Sequence, residues 1–232
     1  EMIDRTLYSA GESDTRYVLN GLHLNLNTEG LLTVVGTDGH RLALAERTLE
    51  TKVKEERKMI LSRKSVAELR RFLDSSGPDV KFFIGKNHVL FQIGEVHFLT
   101  RLIEGTYPNY RQVLPLENDK VVTVGRNDLT RALRRVSIMS KERSSAVKIE
   151  IGPQEMVISA SNPDLGEASD EVPVTYGGDA LSTAFNARYI LDALDVMDSD
   201  RVVIKLKEAL SAALVLEEGR EDYKCVVMPM RL

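Results

Sequence analysis

Apolar and polar residues alternate along the chain with two different periods. Runs in which every second residue is apolar predict β-strands at 22–26, 31–36, 41–47, 80–84, 89–93, 96–102, 121–124, 147–151, 156–161, 171–175, 202–206, 212–216 and 223–228. Apolar residues three or four positions apart predict helices at 1–9, 62–74, 127–141 and 186–197. Short turns such as Gly85-Lys86-Asn87 separate neighbouring strands. The pattern therefore predicts an α+β fold with mostly antiparallel sheets and helices on one side.

The order of elements occurs twice. Segments 22–26, 33–38, 72–74 and 80–84 match segments 147–151, 157–162, 196–198 and 202–206 at a nearly constant separation of about 124 residues. We therefore expect two copies of one domain, at 1–116 and 117–232, with the Pro-containing stretch 105–116 as a linker. The first copy lacks the strand that 121–124 supplies in the second, so we expect the sequence to start inside a domain.

Composition excludes several classes of protein. The formal net charge is −4, which argues against a uniformly basic nucleic-acid binder but allows basic groups collected on one face. The single cysteine, Cys225, cannot form an internal disulfide and excludes cysteine-cluster metal sites. No apolar run approaches the ~18 residues of a membrane span. The sequence therefore indicates an ordinary globular protein without a metal or membrane requirement.

Two of the predicted helices carry basic faces. The side opposite the apolar stripe holds arginines with no carboxylate four residues later in 127–141, and holds further cations in 62–74. These positions are Arg131, Arg134 and Arg135 in the first case and Lys64 and Arg71 in the second, where Arg63 and Arg70 lie on the flanks of the helix. A solvated helix face is the ordinary interpretation, but a repeated basic face also fits an electrostatic track for phosphates. Arg188 lies beside Asp192 and Asp195, so the helix at 186–197 does not share this property.

The segment 37–41, Thr-Asp-Gly-His-Arg, is the most polar constellation in the chain. Asp38 could orient His40 as a base, which keeps a hydrolase or transferase as an alternative, and a scaffold without a DNA role as another. Asp-Gly is more often a chain-reversing turn, and the sequence has no phosphate-binding loop and no metal-ligand spacing. With no Trp and no ladder of aromatic residues, any nucleic-acid binding would be non-specific and directed at duplexes.

Three motifs carry a family resemblance: 37–43 (Thr-Asp-Gly-His-Arg-Leu-Ala), 107–111 (Tyr-Pro-Asn-Tyr-Arg) and 227–232 (Val-Met-Pro-Met-Arg-Leu). Together they resemble the bacterial DNA polymerase III beta subunits, the sliding clamps, over essentially the whole chain. The resemblance implies two DNA-clamp domains of a three-domain chain, so that this sequence corresponds to a C-terminal piece. It further implies a cytoplasmic homodimeric ring with sheets outside and helices lining a hole around duplex DNA. Neither catalysis nor a cofactor or metal is implied.

The resemblance also implies three sets of functional residues. DNA would face Arg63, Lys64, Arg70, Arg71, Arg131, Arg134 and Arg135. Short peptides of the replicative polymerase, the clamp loader, repair polymerases and mismatch-repair proteins would bind a hydrophobic pocket where the two domains join. Its residues would be Leu19, Thr37, Gly39, His40, Arg41, Leu42, Pro108, Gln112, Val113, Asn186, Tyr189, Leu210, Ala212, Val226, Met228, Pro229, Met230 and Arg231. The ring interface would include Ile138, Met139, Glu167, Asp170 and Glu171.

Overall fold

The computed structural model describes residues 1–73, 79–140 and 145–231. It divides into two units, residues 1–109 (unit 1) and 110–232 (unit 2). The division comes a few residues before the boundary predicted at 116/117, because the short 3-10 helix Tyr110–Val113 groups with unit 2. No helix of the described residues is both long and apolar enough to cross a membrane.

The described residues of unit 1 form two helices, two sheets and the 3-10 helix Tyr17–Leu19. Its elements are α1 (Met2–Leu7), β1 (Gly21–Leu26), β2 (Leu31–Thr37), β3 (Arg41–Thr48), β4 (Arg57–Ser62), α2 (Arg63–Leu73), β5 (Val80–Ile84), β6 (His88–Ile93) and β7 (Val96–Arg101). All strand pairs are antiparallel, in the orders β4-β1-β2-β3 and β5-β6-β7.

The core of unit 1 lies between these sheets and the two helices. Leu22 and Val34 from the first sheet pack in one cluster with Val66 and Leu69 from α2. The second sheet adds the row Phe82, Phe91 and Phe98, whose neighbouring ring centroids are 6.2 and 6.3 Å apart. Phe72 of α2 contacts this row at 5.6 Å from Phe98. Alternation along each strand therefore places every second residue against a helix.

Unit 2 repeats this arrangement with one additional strand at its start. Its elements are β8 (Lys120–Gly125), α3 (Arg126–Ser137), β9 (Ala146–Ile151), β10 (Glu155–Asn162), β11 (Gly166–Tyr176), β12 (Leu181–Asn186), α4 (Ala187–Leu194), β13 (Arg201–Leu206), β14 (Ala213–Glu217) and β15 (Tyr223–Val227). Its strands pair in the antiparallel order β12-β9-β10-β11-β8-β13-β14-β15. The long strand β11 pairs with β10 through Pro173 and with β8 from Val174 onward.

The predicted α+β fold and internal repeat are confirmed, because matched segments occupy matched strands. β1 and β9 are both central, each between a hairpin partner and the strand that leads into a helix. In each unit an arginine at the first position of one helix donates to carbonyls at the end of the other. Arg63 reaches the carbonyls of Leu7 (2.8 Å) and Ala10 (2.7 Å), and Arg126 reaches those of Ser199 (2.8 Å) and Leu194 (3.4 Å).

Strands β4 and β12 are absent from the sequence prediction. Each runs directly into a helix, at Ser62–Arg63 and Asn186–Ala187, so no turn residues mark the change of period. Both predicted helix starts are nevertheless confirmed. The Ser62 hydroxyl accepts from the Ser65 N–H at 3.1 Å, and the Asn186 amide oxygen accepts from the Arg188 N–H at 2.9 Å. The predicted helix-terminating segment 74–78 and residue 141 lie outside the described residues.

Candidate nucleic-acid and peptide interfaces

Helix α3 buries one side and exposes three arginines on the other. Leu129, Leu133 and Val136 are buried, which orients the helix against the sheet. Arg131, Arg134 and Arg135 are each at least 60% exposed. The predicted basic face therefore exists.

Every one of these arginines has a carboxylate partner, which corrects the expectation that they are left un-neutralised. Arg131 pairs with Asp128, one turn before it, and Arg135 pairs with Asp170 of β11. Arg134 pairs with Asp195 at 2.9 Å, at the end of α4. The expectation failed because it considered only carboxylates four residues later, whereas these partners lie three residues earlier or on other elements.

Helix α2 of unit 1 presents its cations less uniformly. Arg70 pairs with Asp4 of α1, and Arg71 pairs with Glu68 at 3.4 Å. Lys64 is exposed and Arg63 is half-buried. Because Arg63 is engaged with two carbonyls and also pairs with Glu12 at 3.2 Å, its guanidinium serves the fold of unit 1. Helix α2 thus keeps three of its four predicted cations exposed, and two of these three pair with carboxylates.

The polar segment 37–41 forms a tight turn between β2 and β3. The Asp38 carboxylate accepts from the backbone N–H groups of His40 (2.9 Å) and Arg41 (3.1 Å) and pairs with the Arg41 guanidinium at 3.1 Å. Gly39 has a φ of +87°, a conformation that favours glycine. Arg41 reaches the Tyr8 carbonyl at 2.8 Å. Asp38 therefore organises the turn and Arg41, which supports the turn interpretation over that of a catalytic base.

A second ion pair borders this turn. Arg16 donates to both carboxylate oxygens of Asp14, at 3.0 and 2.8 Å, and also to the Asp38 carbonyl at 3.2 Å. Hydrogen bonding from Arg16 lowers the pKa of Asp14 to about 2. Arg16 also lies against Gly39, so the turn has a cationic neighbour.

The peptide-pocket residues predicted for unit 1 are partly core residues. Leu19 and Leu42 are 1% and 3% exposed, so both side chains belong to the core and not to the surface. His40 and Pro108 are exposed, and Arg41 is largely enclosed. Thr37 donates to the Arg41 carbonyl at 2.6 Å. Within unit 1 the structure therefore brings Thr37, Gly39, His40 and Arg41 together in one turn.

Two of the segments that carry the pocket residues predicted for unit 2 lie against β12. The Met230 N–H donates to the Ala184 carbonyl at 2.7 Å, and Thr183 donates to the Ala209 carbonyl at 2.7 Å. These two bonds hold the C-terminal segment and the loop before β14 against the same strand. The apolar side chains that remain exposed are Val113 (48%), Leu210 (59%) and Met228 (44%), whereas Val226 is 2% exposed. The remaining predicted members of this set are Gln112, Asn186, Tyr189, Ala212, Pro229 and Arg231.

The predicted ring-interface residues surround the start of β11. Ile138 is 75% exposed just beyond α3. Met139 lies near Gly166, because a Cβ atom at Gly166 would be 3.8 Å from the Cε methyl of Met139. Alternation along β11 exposes Glu167 and Glu171 and directs Asp170 to the helix side, where it holds Arg135. Among described residues, β11 pairs on only one side from Gly166 to Pro173. Leu165, in the turn that precedes β11, is 68% exposed, and a lone leucine in a turn carries no sequence signal.

Two α+β units of the same topology, each with helices packed on antiparallel sheets, define a clamp-type repeat. The chain matches the DNA polymerase III beta subunit, central domain, over residues 1–109, and the C-terminal domain of the same subunit over residues 111–231. The chain therefore belongs to the DNA polymerase III beta subunit family, as the motifs of the sequence predict.

Individual relatives agree with this assignment. The beta sliding clamp of Pseudomonas putida is 36% identical over 231 residues, and that of Haemophilus influenzae is 38% identical over 234. Both alignments cover 100% of this chain and 63% of the relative, so the chain spans less than two thirds of these proteins. A sliding clamp of Pseudomonas aeruginosa solved with a ligand superposes with a TM-score of 0.97 at 37% identity, covering 100% of this chain and 63% of that one. One from Bartonella birtlesii bound to griselimycin gives 0.95 at 34% identity, with the same coverage.

Proposed function

We propose that this chain is the part of a DNA sliding clamp that supplies two of its domains. It acts by binding: as part of a ring it encircles duplex DNA without sequence preference and tethers the replicative polymerase. The observation that carries this proposal is the exposed arginine face of α3 in a chain whose family members are beta sliding clamps. A clamp needs neither a catalytic centre nor contacts that read the bases, because the closed ring itself keeps the protein on the DNA.

The ion pairs of α3 suit a sliding contact. Exposed arginine–carboxylate pairs contribute at most about 1 kcal/mol, so a phosphate can displace the carboxylate and leave again. The displaced carboxylates of Asp128 and Asp195 stay nearby and repel the phosphate, which keeps the contact between arginine and phosphate weak. Weak contacts that do not read the bases allow movement along the duplex.

Duplex binding by an arginine-deficient variant tests the DNA-binding proposal. Replacing Arg131, Arg134 and Arg135 with serine should weaken binding to short duplexes of unrelated sequence by the same factor, measured by fluorescence anisotropy at low salt. The matched control replaces Arg47, Arg57 and Arg101, three exposed arginines that also pair with carboxylates but lie outside the helices. If the control loses as much affinity as the helix variant, or if the loss depends on sequence, α3 is not the DNA contact.

We further propose that the predicted pocket residues of both units bind short apolar peptides of the polymerase, the clamp loader and repair proteins. Three observations support this role: exposed Leu210, Met228 and Val113 offer apolar area, methionine adapts to different ligands, and a related clamp is bound to griselimycin. Two apolar anchors, less the cost of ordering a flexible peptide, suggest an affinity of about micromolar order. Such an affinity allows partners to exchange.

Calorimetry with a peptide carrying Gln followed by Leu and Phe tests this site. Deleting residues 228–232, or changing Leu210 and Met228 to serine, should abolish or greatly weaken binding while the circular dichroism spectrum stays unchanged. Leu165→Ser, which removes an equally exposed leucine elsewhere in unit 2, should bind the peptide normally. Undiminished binding by the folded deletion variant would place the peptide site elsewhere.

We also propose that the apolar edge at Ile138, Met139 and Leu165 closes the ring against another subunit. An exposed, half-paired β11 with adjacent apolar side chains is the kind of edge that another strand extends. The experiment uses the three-domain polypeptide of which this chain would be the C-terminal piece. In sedimentation velocity, Ile138→Glu should shift that protein from dimer to monomer. A substituted protein that remains fully dimeric at nanomolar concentration would contradict this placement.

A further inference from the structure

The two residues that follow helix α1 contact both strands that flank the turn at 38–40. The Ser9 hydroxyl donates to the Gly36 carbonyl near the end of β2 at 3.0 Å. The Tyr8 carbonyl accepts from the guanidinium of Arg41, the first residue of β3, at 2.8 Å. The end of α1 therefore holds one strand where the chain enters the turn and the other strand where the chain leaves it.

The contact with β2 is close and buried. Ser9 and Thr6 are both 0% exposed. A Cβ atom at Gly36 would lie 2.5 Å from the carbonyl oxygen of Thr6 and 2.8 Å from the hydroxyl oxygen of Ser9, so only glycine lets the end of α1 come this near. Because close-packed interiors are hardly compressible, the end of α1 supports the end of β2 rigidly.

The contact with β3 is made through a guanidinium. The Cζ atom of Arg41 lies 5.2 Å from the centroid of the Tyr8 ring, within the range of a cation–π interaction. The same guanidinium pairs at 3.1 Å with Asp38, whose carboxylate accepts the backbone N–H groups of His40 and Arg41. The Arg41 side chain is only 10% exposed, so these interactions are largely shielded from water. Tyr8 thus acts on the turn through Arg41 and Asp38.

The end of α1 is itself fixed from α2. The Arg63 guanidinium donates to the carbonyls of Leu7 at 2.8 Å and Ala10 at 2.7 Å, on either side of Tyr8 and Ser9. The end of α1 is therefore a fixed support for Arg41 and does not simply follow the turn when the turn moves.

Unit 2 makes the corresponding turn without such a tether. The repeat aligns Thr37 with Ser161, and the strand register then places Gly166 at the position of Arg41. The residue that follows α3 is Ile138, which has no ring for a guanidinium to cover. Chain reversal between these strands therefore needs neither an arginine nor a tyrosine, and the tether of unit 1 has a further use.

We propose that Tyr8 is a positioning residue of the peptide site. Through Arg41 and Asp38 it holds the turn that carries Gly39 and His40 in the conformation that meets a peptide. This role rests on the peptide binding proposed above, because Gly39, His40 and Arg41 belong to the predicted pocket. A turn that is ordered before the peptide arrives does not have to be ordered on binding, which raises the affinity.

Exchanging Tyr8 for the residue of unit 2 tests the role. Tyr8→Ile removes the ring beneath Arg41 and should weaken binding of the Gln-Leu-Phe peptide about threefold to tenfold in calorimetry. Tyr8→Phe keeps a ring and should bind like the unsubstituted chain. The control Phe91→Ile also removes a ring from unit 1, but from the core of the small sheet, and should leave peptide affinity unchanged. Isoleucine already follows α3 in unit 2, so Tyr8→Ile is expected to fold, which thermal melting checks.

Amide hydrogen exchange separates positioning of the turn from a general loss of stability. In NMR measurements, Tyr8→Ile should speed exchange of the His40 and Arg41 amides, which donate to Asp38, about threefold or more relative to amides of β6. Phe91→Ile should speed exchange in β6 and not in the turn.

Either of two results would overturn the proposal. One is equal peptide affinity of Tyr8→Ile and Tyr8→Phe, and the other is turn exchange in Tyr8→Ile that matches the unsubstituted chain. Absence of peptide binding by the unsubstituted chain would instead contradict the peptide-site proposal. The exchange rates would still decide whether Tyr8 holds the turn, so the two failures are distinguishable.

Discussion

The small sheet of unit 1 and the matching strands of unit 2 have similar inner faces and contrasting outer faces. Phe91 and Val215 are both buried in the middle strand, where the helix-facing side must pack. On the other side, unit 1 has Phe83 and Leu99 in water, whereas the matching row of unit 2 includes the buried Val226. The comparison teaches that the duplicated sequence preserves the apolar pattern of the helix-facing side and varies both the residues and the exposure of the other side.

The largest effect should separate the two faces of this sheet. Phe91→Ala removes a ring from the aromatic core row and should cost about 3–5 kcal/mol of unfolding free energy. Phe83→Ser, on the outer face of the neighbouring strand, should change it by only about 0.5 kcal/mol. Urea denaturation measures both values. A large loss for Phe83→Ser would mean that the outer row is part of the core.

A second prediction uses the buried histidine on the outer side of the first sheet in unit 1. His23 is 7% exposed, stacks on Tyr107 with ring centroids 4.9 Å apart, and has Lys58 and Glu56 as charged neighbours. Burial, with a smaller contribution from the Lys58 charge, lowers the pKa of His23 to about 4. In the unfolded chain the imidazole titrates near its ordinary pKa of 6.5.

Because the unfolded state binds this proton more readily, stability is complete above pH 6.5 and falls as the pH decreases towards 4. Between pH 8 and pH 5 the loss due to His23 should be about 2 kcal/mol. The variant His23→Phe keeps an aromatic ring against Tyr107 and should lack this part of the decline. Equal pH dependence of the two proteins in urea titrations would show that His23 is not held neutral by the fold.

A smaller effect should follow from releasing one arginine of α3. Asp195→Asn removes the partner of Arg134 and should raise duplex affinity about two- to fivefold at low salt, since exposed pairs contribute up to about 1 kcal/mol. The control Glu117→Gln breaks the exposed Lys207 pair at the far end of β8 from α3. Fluorescence anisotropy measures the duplex affinity of both variants. If the two affinities rise equally, the effect is due to net charge alone.

Sequence reasoning predicted the repeat, most strands and the basic helix faces, because each leaves a periodic signal. It missed β4 and β12, since a strand that runs straight into a helix has no turn residues at the junction. It also missed the carboxylate partners Asp170 and Asp195. Partners on other elements are set by tertiary packing, and no spacing rule along one helix contains them.

The candidate sites were likewise only partly predictable from the sequence. The turn around Asp38 and Gly39 was predictable from local chemistry, because its hydrogen bonds span only three residues. Which members of the peptide-pocket set are exposed was not predictable. Leu19 and Val226 are buried while Leu210 is exposed, and an apolar residue on a short strand has the same signal in either case.

The salt dependence of duplex binding tests the central claim most directly. For the unsubstituted chain, a plot of log affinity against log salt concentration should be linear, with the same slope for duplexes of different sequence. The serine variant of Arg131, Arg134 and Arg135 should have a slope shallower by up to about 0.9 for each phosphate that it no longer neutralises. Identical slopes for the variant and the unsubstituted chain would show that the arginine face of α3 does not meet DNA.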